Sequence, residues 1–464
     1  MILQRQSLLP WVLGGLLTVS VVLGGASGRG AGTIANGLLQ LVSLVALVYA
    51  AWARGNVKLP ASAGMLGWIA LVFAALVALE MVPLPPALWQ SLPGRGPIAA
   101  GFRLLSMALP NLPESLAGRW TVFSLLSLLT PCAVFLLVAK AGATERQVVP
   151  WIVLIAAVIS LLLGVLQLVS GDQSPLRLYE ITNNTRPVGF FANTNHLATL
   201  ILMAIPLTGY LAARTVSRGS QRAVRSSGVI AAIWIALFLL VGLGVIGSTA
   251  GYGLAVPTLG AAILIFRRAA FGPIGVRWKL GILALTLGFV SFAIFGPISH
   301  EHVSQQVSAA PASRATFART TLRAIHDSFP AGTGLGSFQE VYRTYQDPYL
   351  VDTEYVNHAH DDYLEFVLEL GAVGIALLAA WFAWYARASW TAWRGEFPGA
   401  NLARTGTVMI AVVVLHSLVD YPLRTGAVAA IAAAGCGLLV PPPVQRTARR
   451  KDRDHPAARH LVAA

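Results

Sequence analysis

Charged residues are scarce in this chain. Asp, Glu, Lys and Arg together make up 11% of its 464 residues, whereas soluble domains carry about 25%. Hydrophobic residues account for 56%, and the mean hydropathy is +0.68. Apolar runs recur along almost the whole length, and a bilayer core needs about 20 apolar residues per helix. The composition therefore excludes a soluble globular protein and predicts a polytopic membrane protein.

Cysteine is also scarce, because Cys132 and Cys436 are the only two in the sequence, and both lie inside apolar runs. This placement argues against a disulfide framework or a thiolate metal site and favours small buried side chains. The net charge of +14 comes from basic residues in short segments between apolar runs and in the tail. The positive-inside rule produces that distribution, so we expect no nucleic acid partner. The first apolar run has no convincing small-residue cleavage site, which favours a retained helix over a signal peptide.

Twelve apolar segments are predicted to span the lipid bilayer. They are 8–25, 35–53, 62–80, 120–139, 149–170, 195–213, 228–246, 252–266, 280–297, 363–386, 405–419 and 425–441. With the N-terminus inside, the short segments between spans that carry clustered Lys and Arg fall in the cytoplasm, and so does the C-terminus; long loops cross membranes largely regardless of charge. Three long segments then lie outside, at about 81–119, 171–194 and 298–362. We expect an all-α membrane domain over residues 1–441 and a basic, disordered cytoplasmic tail over residues 442–464.

The outer segment TRPVGFFANTNHLATL, residues 185–200, contains Arg186 just before a predicted helix. Asn193 or Thr194 is expected to cap that helix, with Asn195 and His196 in its first turn. A helix N-terminus beside an arginine binds anions readily. The alternative is an ordinary capped helix whose arginine reaches the membrane interface.

A second outer cluster, residues 313–345, carries Arg314, Arg319 and Arg323. Arg319 and Arg323 share a face if the segment is helical, and guanidinium groups bind phosphate oxygens in pairs. The following GTGLGSF offers backbone amides, although a plain turn is the stronger interpretation. For the arginines the alternative is a solvated helix face paired with Glu340 or Asp327.

A third cluster, VNHAHDDYLEF at residues 356–366, places several titratable groups directly before an apolar run. Asp362 and Glu365 form a D-x-x-E pattern, which predicts a capped helix beginning near Tyr363. His358 and His360 remain outside that cap, and strand-like alternation would point them in the same direction. A third metal ligand at recognisable spacing is missing, so a general base fits these histidines better than a metal pair.

The late segment HSLVDYPLR, residues 416–424, adds His416, Asp420 and Arg424 near the outer face. Asp420 and Arg424 either form an interface salt bridge or support the same outer site, and we favour support. Ionisable groups at a membrane edge are functional candidates by default.

The spacing of His360, Asp361, nine further residues, Gly371 and Gly374 resembles the signature of the O-antigen ligase and Wzy-type polymerase superfamily. Three other pieces are similar to motifs of that family and come in its order. They are Arg186 with GFFANTNHLA, SRATFARTTLRAIHDSFPAGTGLGSF, and HSLVDYPL. Together the similar segments cover about residues 180–425.

The resemblance implies a GT-C-like inverting glycosyltransferase at the periplasmic face of the bacterial inner membrane. Its donor would be a glycan on undecaprenyl diphosphate, and its acceptor lipid A core in a ligase or a lipid-linked glycan in a polymerase. It would use neither metal nor cofactor, and other polysaccharide assembly proteins are further expected partners. In this family reading His360 is the catalytic base with His358 as second choice, and Arg186, Arg314, Arg319 and Arg323 bind the diphosphate. Support would come from Asn195, His196, Asp361, Asp420 and Arg424.

Two departures from the family pattern qualify this reading. Asp361 stands where Asn, Ser or Gln is usual, which would raise the basicity of a neighbouring histidine. The Ser-Arg pair of many members is missing from GSTAGYG, residues 247–253. Rival interpretations are a polysaccharide or lipid transporter, such as a flippase, and a membrane-anchored sensor. Between the two enzymes, the loop over residues 81–119 and the basic tail favour a polymerase by resemblance.

Overall fold

The computed structural model describes residues 8–27, 32–53, 59–218, 222–272, 314–350 and 356–443, and the single residues 275 and 281. Regular structure within these ranges is helical, with two isolated β-bridges, Ser27 to Thr425 and Leu84 to Leu112. The helices are α1 (Leu9–Leu23), α2 (Thr33–Trp52), α3 (Ala61–Leu79), α4 (Pro86–Trp89), α5 (Gly96–Leu104), α6 (Gly118–Ser127), α7 (Leu129–Lys140), α8 (Val148–Val169), α9 (Thr194–Arg218), α10 (Arg222–Ile246), α11 (Thr249–Phe271), α12 (residues 314–328), α13 (Phe338–Tyr345), α14 (Asp362–Arg394), α15 (Ala400–His416) and α16 (Gly426–Leu439).

Eight stretches among the described residues are long and apolar enough to cross a membrane. They are α2, α3, α6 with α7, α8 with the short turn before it, α9, α10, α11 and α14. The shorter apolar helices α1, α15 and α16 coincide with three more predicted spans. The polytopic membrane fold is thus confirmed. The predicted span 280–297 lies almost wholly outside the described residues, so the total of twelve stays a prediction. Residues 298–313, 351–355 and 444–464 of the predicted loop and tail also lie outside them.

Helix α9 forms the centre of the bundle, because 94% of its most apolar window is buried. It packs against α8, α10, α11 and α15. At its crossing with α11, a Cβ on Gly209 would lie 2.3 Å from the carbonyl oxygen of Ala262. Membrane helices use small residues in this way to let backbones approach closely.

Helix α14 is broken at Gly371, whose backbone (φ 56°, ψ −138°) is not helical. The chain at Pro330 enters the break, where its carbonyl accepts a 2.9 Å hydrogen bond from the amide of Ala372. A Cβ on Gly371 would lie 2.1 Å from that oxygen, so a glycine is required. The break separates a short first piece of α14, residues 362–370, from the long apolar remainder.

The predicted cap of α14 is wrong by one residue. Asp361, not Asp362, is the cap, and its carboxylate accepts from the amides of Tyr363 and Leu364 at 2.9 and 3.0 Å. Asp362 is the first helical residue and accepts from the Ser417 hydroxyl instead, because its side chain faces the loop after α15. Glu365 accepts from the amide of Ala359 and does not close a capping box on Asp362.

The predicted alternation of the two histidines is also wrong, because His360 is not extended. Its φ of 53° places it in the left-handed region, which few residues other than glycine adopt. The chain therefore turns at His360, between His358 and the cap of α14. Their orientations follow from packing and not from strand geometry.

The segment over residues 81–119, which is predicted to lie outside, contains α4, α5 and the Leu84–Leu112 bridge. Its end is fixed by hydrogen bonds from the amide of Ser115 to the Glu80 carbonyl and from the amide of Leu116 to the Thr333 carbonyl. This segment therefore lies beside the turn over residues 332–337, at the same end of the bundle as the start of α14.

Candidate functional site

Tyr421, in the loop between α15 and α16, is buried at the centre of a group of imidazoles. Its ring centroid lies 4.2, 4.9 and 5.1 Å from those of His358, His360 and His196. Its hydroxyl accepts hydrogen bonds from the amides of Asn193 and Asn357, at 3.3 and 3.2 Å. Burial raises the pKa of Tyr421 above its usual range, so the hydroxyl stays protonated. This side chain joins α9, the segment before α14 and the loop before α16, and sequence reasoning did not identify it.

His360 faces the buried carboxylate of Asp420. Its Nδ1 lies 3.2 Å from Oδ1 of Asp420, within ion-pair distance but without the angles of a hydrogen bond. Burial acts to raise the pKa of Asp420, but the imidazoles of His360, His196 and His416 outweigh it and hold that pKa below its usual range. Asp420 is therefore an anion that orients His360 and stabilises positive charge on it.

His358 has a carboxylate partner of its own, Glu365. Its Nδ1 lies 2.9 Å from Oε1 of Glu365, which is itself buried. Arg424 lies within 3.0 to 3.5 Å of Glu365, Glu369 and Asp362. Burial lowers the pKa of Arg424, but the three carboxylates outweigh it and raise that pKa above its usual range. Arg424 thus holds together a cluster that leaves His358 oriented by Glu365.

The three carboxylates beside Arg424 lie on one face of the first piece of α14. Positions 362, 365 and 369 follow the spacing that aligns side chains along a helix. The structure brings Asp420 next to His360, and Arg424 next to Glu365, the partner of His358. The supporting role of Asp420 and Arg424 stays a prediction. Glu369 was missed, although two glutamates four residues apart within an apolar run are a recognisable signal.

The turn GTGLGS, residues 332–337, binds the protein's own carboxylates. The amide of Leu335 donates to Oε2 of Glu80, and that of Gly336 to Oε1 of Glu369, both at 2.9 Å. Positive φ values at its three glycines (Gly332, Gly334, Gly336) turn these amides inward. The plain-turn interpretation is therefore correct, because these two amides are not free for a phosphate. Burial raises the pKa of Glu80 to about 8.

Arg186 belongs to the segment before α9, and its guanidinium reaches the residues that precede α11. Its Nη1 donates to the carbonyl of Gly247 at 3.0 Å, within the GSTAGYG segment that lacks the family's arginine. Ser248 caps α11 and its hydroxyl donates to Oδ1 of Asn195 at 2.8 Å, which joins this corner to α9. Arg186 thus brings a guanidinium to the segment in which the motif predicts one.

The Arg186 turn is held in place by Gln167 of α8, a fully buried residue that sequence reasoning missed. Its Oε1 accepts from the amides of Val188 and Gly189, and its Nε2 donates to the Gly189 carbonyl. A buried glutamine that bonds three groups of one turn fixes the backbone from which Arg186 extends.

Asn193 caps α9, as predicted, because its Oδ1 accepts from the amide of Asn195 at 2.8 Å. The amide of Thr194 donates to Asn183 and that of His196 to the Asn193 carbonyl. These first-turn amides are already bonded, so any anion at this corner would bind the guanidinium of Arg186. His196 is buried beside Tyr421.

Helix α12 packs against the His360 side of the site, because Phe317 stacks on the His360 imidazole with centroids 5.6 Å apart. Arg314 is half-buried, whereas Arg319 and Arg323 are exposed. Arg323 donates to the Thr320 hydroxyl, and none of the ion pairs found among the described residues involves these three arginines. The alternative, in which one of these arginines pairs with Asp327, is not seen in the described part of the chain, where Asp327 contacts His326 and Tyr345.

A cavity of about 460 Å³ opens beside His358. Apolar and aromatic side chains of α2, α3, α6, α7 and α14 form its walls, and His358, Glu365, Glu369 and Arg424 form its polar end. His360, Arg186 and Arg314 are not among its lining residues. No group of three or more His, Cys, Asp or Glu side chains in the described ranges is arranged to hold a metal ion.

The fold and site together define a polytopic membrane protein with carboxylate-oriented histidines and nearby arginines at one end of its helical bundle. The family model for O-antigen ligase matches residues 231–379 of the chain. This confirms the family resemblance, and it supports a function of the O-antigen ligase type in polysaccharide assembly by a glycosyl-transferring enzyme. The match includes α12 and both site histidines, while Arg186 and Asp420 lie outside it. No curated protein matches the chain.

Proposed function

We propose that this protein is an inverting glycosyltransferase that acts on a glycan linked to undecaprenyl diphosphate at the periplasmic face of the bacterial inner membrane. The acceptor hydroxyl attacks the anomeric carbon, and the bond to the diphosphate oxygen breaks on the opposite face of the sugar. The proton of the hydroxyl passes to a histidine, and the lipid diphosphate leaves. The observation that carries the proposal is the orientation of His360 by the anionic Asp420, beside arginine-bearing α12.

The geometry supports His360 as the base. Asp420 stabilises the imidazolium that forms when the acceptor proton is taken up, and Phe317 fixes the plane of the ring. General bases of this kind contribute about 10²- to 10⁴-fold to rate. Asp420 acts through His360 and is a positioning residue.

The arginines supply the positive charge that a departing diphosphate requires. Arg186 at the start of α11 and Arg314 on α12 are proposed to bind it, with Arg319 and Arg323 available on the exposed part of α12. Groups fixed before the reaction stabilise developing charge without reorganisation, which makes this interaction a large part of the catalysis. A leaving group stabilised by guanidinium groups is compatible with chemistry that uses no metal.

A transporter or flippase is the second candidate. Glu365, Glu369 and Arg424 form a buried charged cluster of the kind that marks substrate pathways in transporters. These charges pair with one another at one end of the bundle, however, whereas transporter sites are found near the bilayer midplane. The enzyme is therefore the better supported proposal.

Substitution of His360 tests the enzyme directly. We expect His360→Asn, and separately Arg186→Ala, to reduce glycan transfer by about 100-fold or more at normal protein level. His326→Asn is the matched control, since His326 is an exposed histidine on α12 and should leave transfer unchanged. Full transfer by both site variants would refute the enzyme and favour the transporter.

Polymerase and ligase use the same donor chemistry, and we favour a polymerase of an exported polysaccharide. The glycan profile of a deletion strain separates them. Single capped repeats identify a polymerase, and long lipid-linked chains that fail to reach lipid A core identify a ligase.

A further inference from the structure

The cavity beside His358 has an amphipathic lining that the donor site does not use. Aromatic and aliphatic side chains form its walls, and the aromatic ones include Phe73, Trp120, Phe123, Phe366 and Trp381. Amides and hydroxyls are interspersed among them, including Asn36, Gln40, Ser124, Gln339 and Asn357. Apolar walls with a few placed polar groups are typical of a small-molecule site.

The polar end of this cavity is acidic. Asp362, Glu365 and Glu369 face a single arginine, Arg424, and one histidine, His358. Three carboxylates face one arginine, and Arg424, the only Lys or Arg among the described residues that line the cavity, is already engaged by all three. A diphosphate would meet repulsion here, whereas sugar hydroxyls donate well to carboxylates. The charge therefore selects a neutral, hydroxyl-rich group.

Tyr421 contacts both histidines, but His358 lines the cavity whereas His360 does not. On the His360 side, Phe317 of α12 stacks on the His360 imidazole. Because Nδ1 of His358 is engaged by Glu365, Nε2 is the nitrogen left for a ligand. A group bound in the cavity thus lies next to the residues proposed for transfer.

We propose that the cavity binds the second substrate, the acceptor, through a neutral sugar on a lipid, and that His358 binds one of its hydroxyls. The inference rests on the proposed function for the word acceptor, but the binding itself does not depend on turnover. The aromatic walls cover the apolar faces of the sugar and its lipid attachment. The carboxylates at the acidic end accept hydrogen bonds from the sugar hydroxyls. The acceptor then binds beside His358, and the donor binds beside His360 and the arginines.

Filling the cavity provides the test. Ala70 of α3 lines it, so Ala70→Leu places a larger side chain inside, whereas Ala78→Leu adds the same group to an exposed position on the same helix. Binding of radiolabelled octyl β-glucoside to the full chain in lipid nanodiscs is measured by equilibrium dialysis, with glucose and octyl phosphate as competing probes. Partitioning into the nanodisc lipid is common to all variants, so differences between variants report the protein site.

We expect Ala70→Leu to weaken octyl glucoside binding about tenfold or more, or about 1.4 kcal/mol, with Ala78→Leu equal to the wild type. Glucose should compete, and octyl phosphate should not. In transfer assays Ala70→Leu and His358→Asn should raise the KM for acceptor and leave the KM for donor unchanged. Equal binding in both leucine variants, or preferred binding of octyl phosphate, would overturn the inference. Full glycan transfer by His360→Asn would instead refute the proposed function, and the binding result would still stand.

Discussion

Two adjacent aspartates before α14 have the same side chain and different tasks. Asp361 caps the helix, and Asp362 is buried between Ser417 and Arg424. At the residue scale, the position of each carboxylate relative to the first helical turn decides its role. A cap needs only an acceptor oxygen, whereas the buried position pairs with a cation.

The cap makes a testable prediction about Asp361. Asparagine caps a helix as well as aspartate does, so Asp361→Asn should leave the free energy of unfolding unchanged and the rate of glycan transfer within about twofold of the wild type. Asp361→Ala removes the acceptor and should cost about 1 kcal/mol in the free energy of unfolding. Thermal unfolding in nanodiscs and transfer rates at saturating substrate measure the two effects. A large loss of transfer in Asp361→Asn at wild-type stability would show that the carboxylate itself acts on a neighbouring histidine.

The sequence was sufficient to identify His358, His360, Asp420 and Arg424 as neighbours, because motif order and the outer location of their segments already grouped them. It could not distribute the carboxylates between the two histidines, since that depends on the left-handed turn at His360. Tyr421 lies within the HSLVDYPL motif, but nothing in the motif marks it as the residue that meets the histidines, and Gln167 carries no sequence signal beyond its type. Their importance comes from burial against several segments that are distant in the chain.

At the scale of elements, the break in α14 and the turn over residues 332–337 form one unit. The Pro330 carbonyl enters the break. The amide of Gly334 donates to the Glu369 carbonyl, and the amide of Gly336 donates to the Glu369 carboxylate. The Gly371 and Gly374 motif was readable in the sequence, but its physical reason was not. That reason lies in the tertiary contact, because the carbonyl oxygen of Pro330 takes the space that a Cβ at residue 371 would need.

Glu80 gives this unit a predicted pH dependence. Burial, with smaller contributions from the carboxylates of Glu114 and Glu369, raises the pKa of Glu80 in the folded protein from its usual 4.5 to about 8, although the hydrogen bond from the Leu335 amide opposes the shift. Neutral Glu80 therefore contributes stability that is fully present below pH 4.5 and is lost as the pH rises through about 8. Glu80→Gln is neutral throughout and keeps an acceptor for the Leu335 amide, so it does not have this loss.

We expect the free energy of unfolding of Glu80→Gln to equal that of the wild type at pH 5 and to exceed it at pH 9 by at least about 1 kcal/mol. Glu180→Gln, at an exposed carboxylate, is the control and should show no difference between the two pH values. Unfolding curves in nanodiscs at both pH values measure the change. A stability difference that stays constant from pH 5 to pH 9 would contradict the burial of Glu80 as an acid.

At the scale of the whole molecule, basic side chains at the end of the bundle opposite the site cap helix C-termini. Lys140 donates to the carbonyls of Ala51, in the last turn of α2, and Ala53, just after that helix. Arg404 donates to the carbonyl of Ala392 in the last turn of α14. Cations are favoured at these ends by the helix dipole. These residues are among those whose positive charge predicts a cytoplasmic location for this end under the positive-inside rule. The same side chains therefore bear on membrane orientation and on helix packing.

The assignment of the two ends predicts the result of cysteine labelling. In a Cys132→Ala, Cys436→Ala background, Ser91→Cys lies on the exposed surface at the site end and Pro398→Cys on the exposed surface at the opposite end. A membrane-impermeant maleimide should label Ser91→Cys in intact spheroplasts and label Pro398→Cys only after permeabilisation, because the site end faces the periplasm under the positive-inside rule. Normal glycan transfer by both variants verifies that they are folded. The reverse pattern would place His360 and its arginines in the cytoplasm, where a periplasmic lipid-linked glycan could not reach them, and the proposed reaction would have to be abandoned.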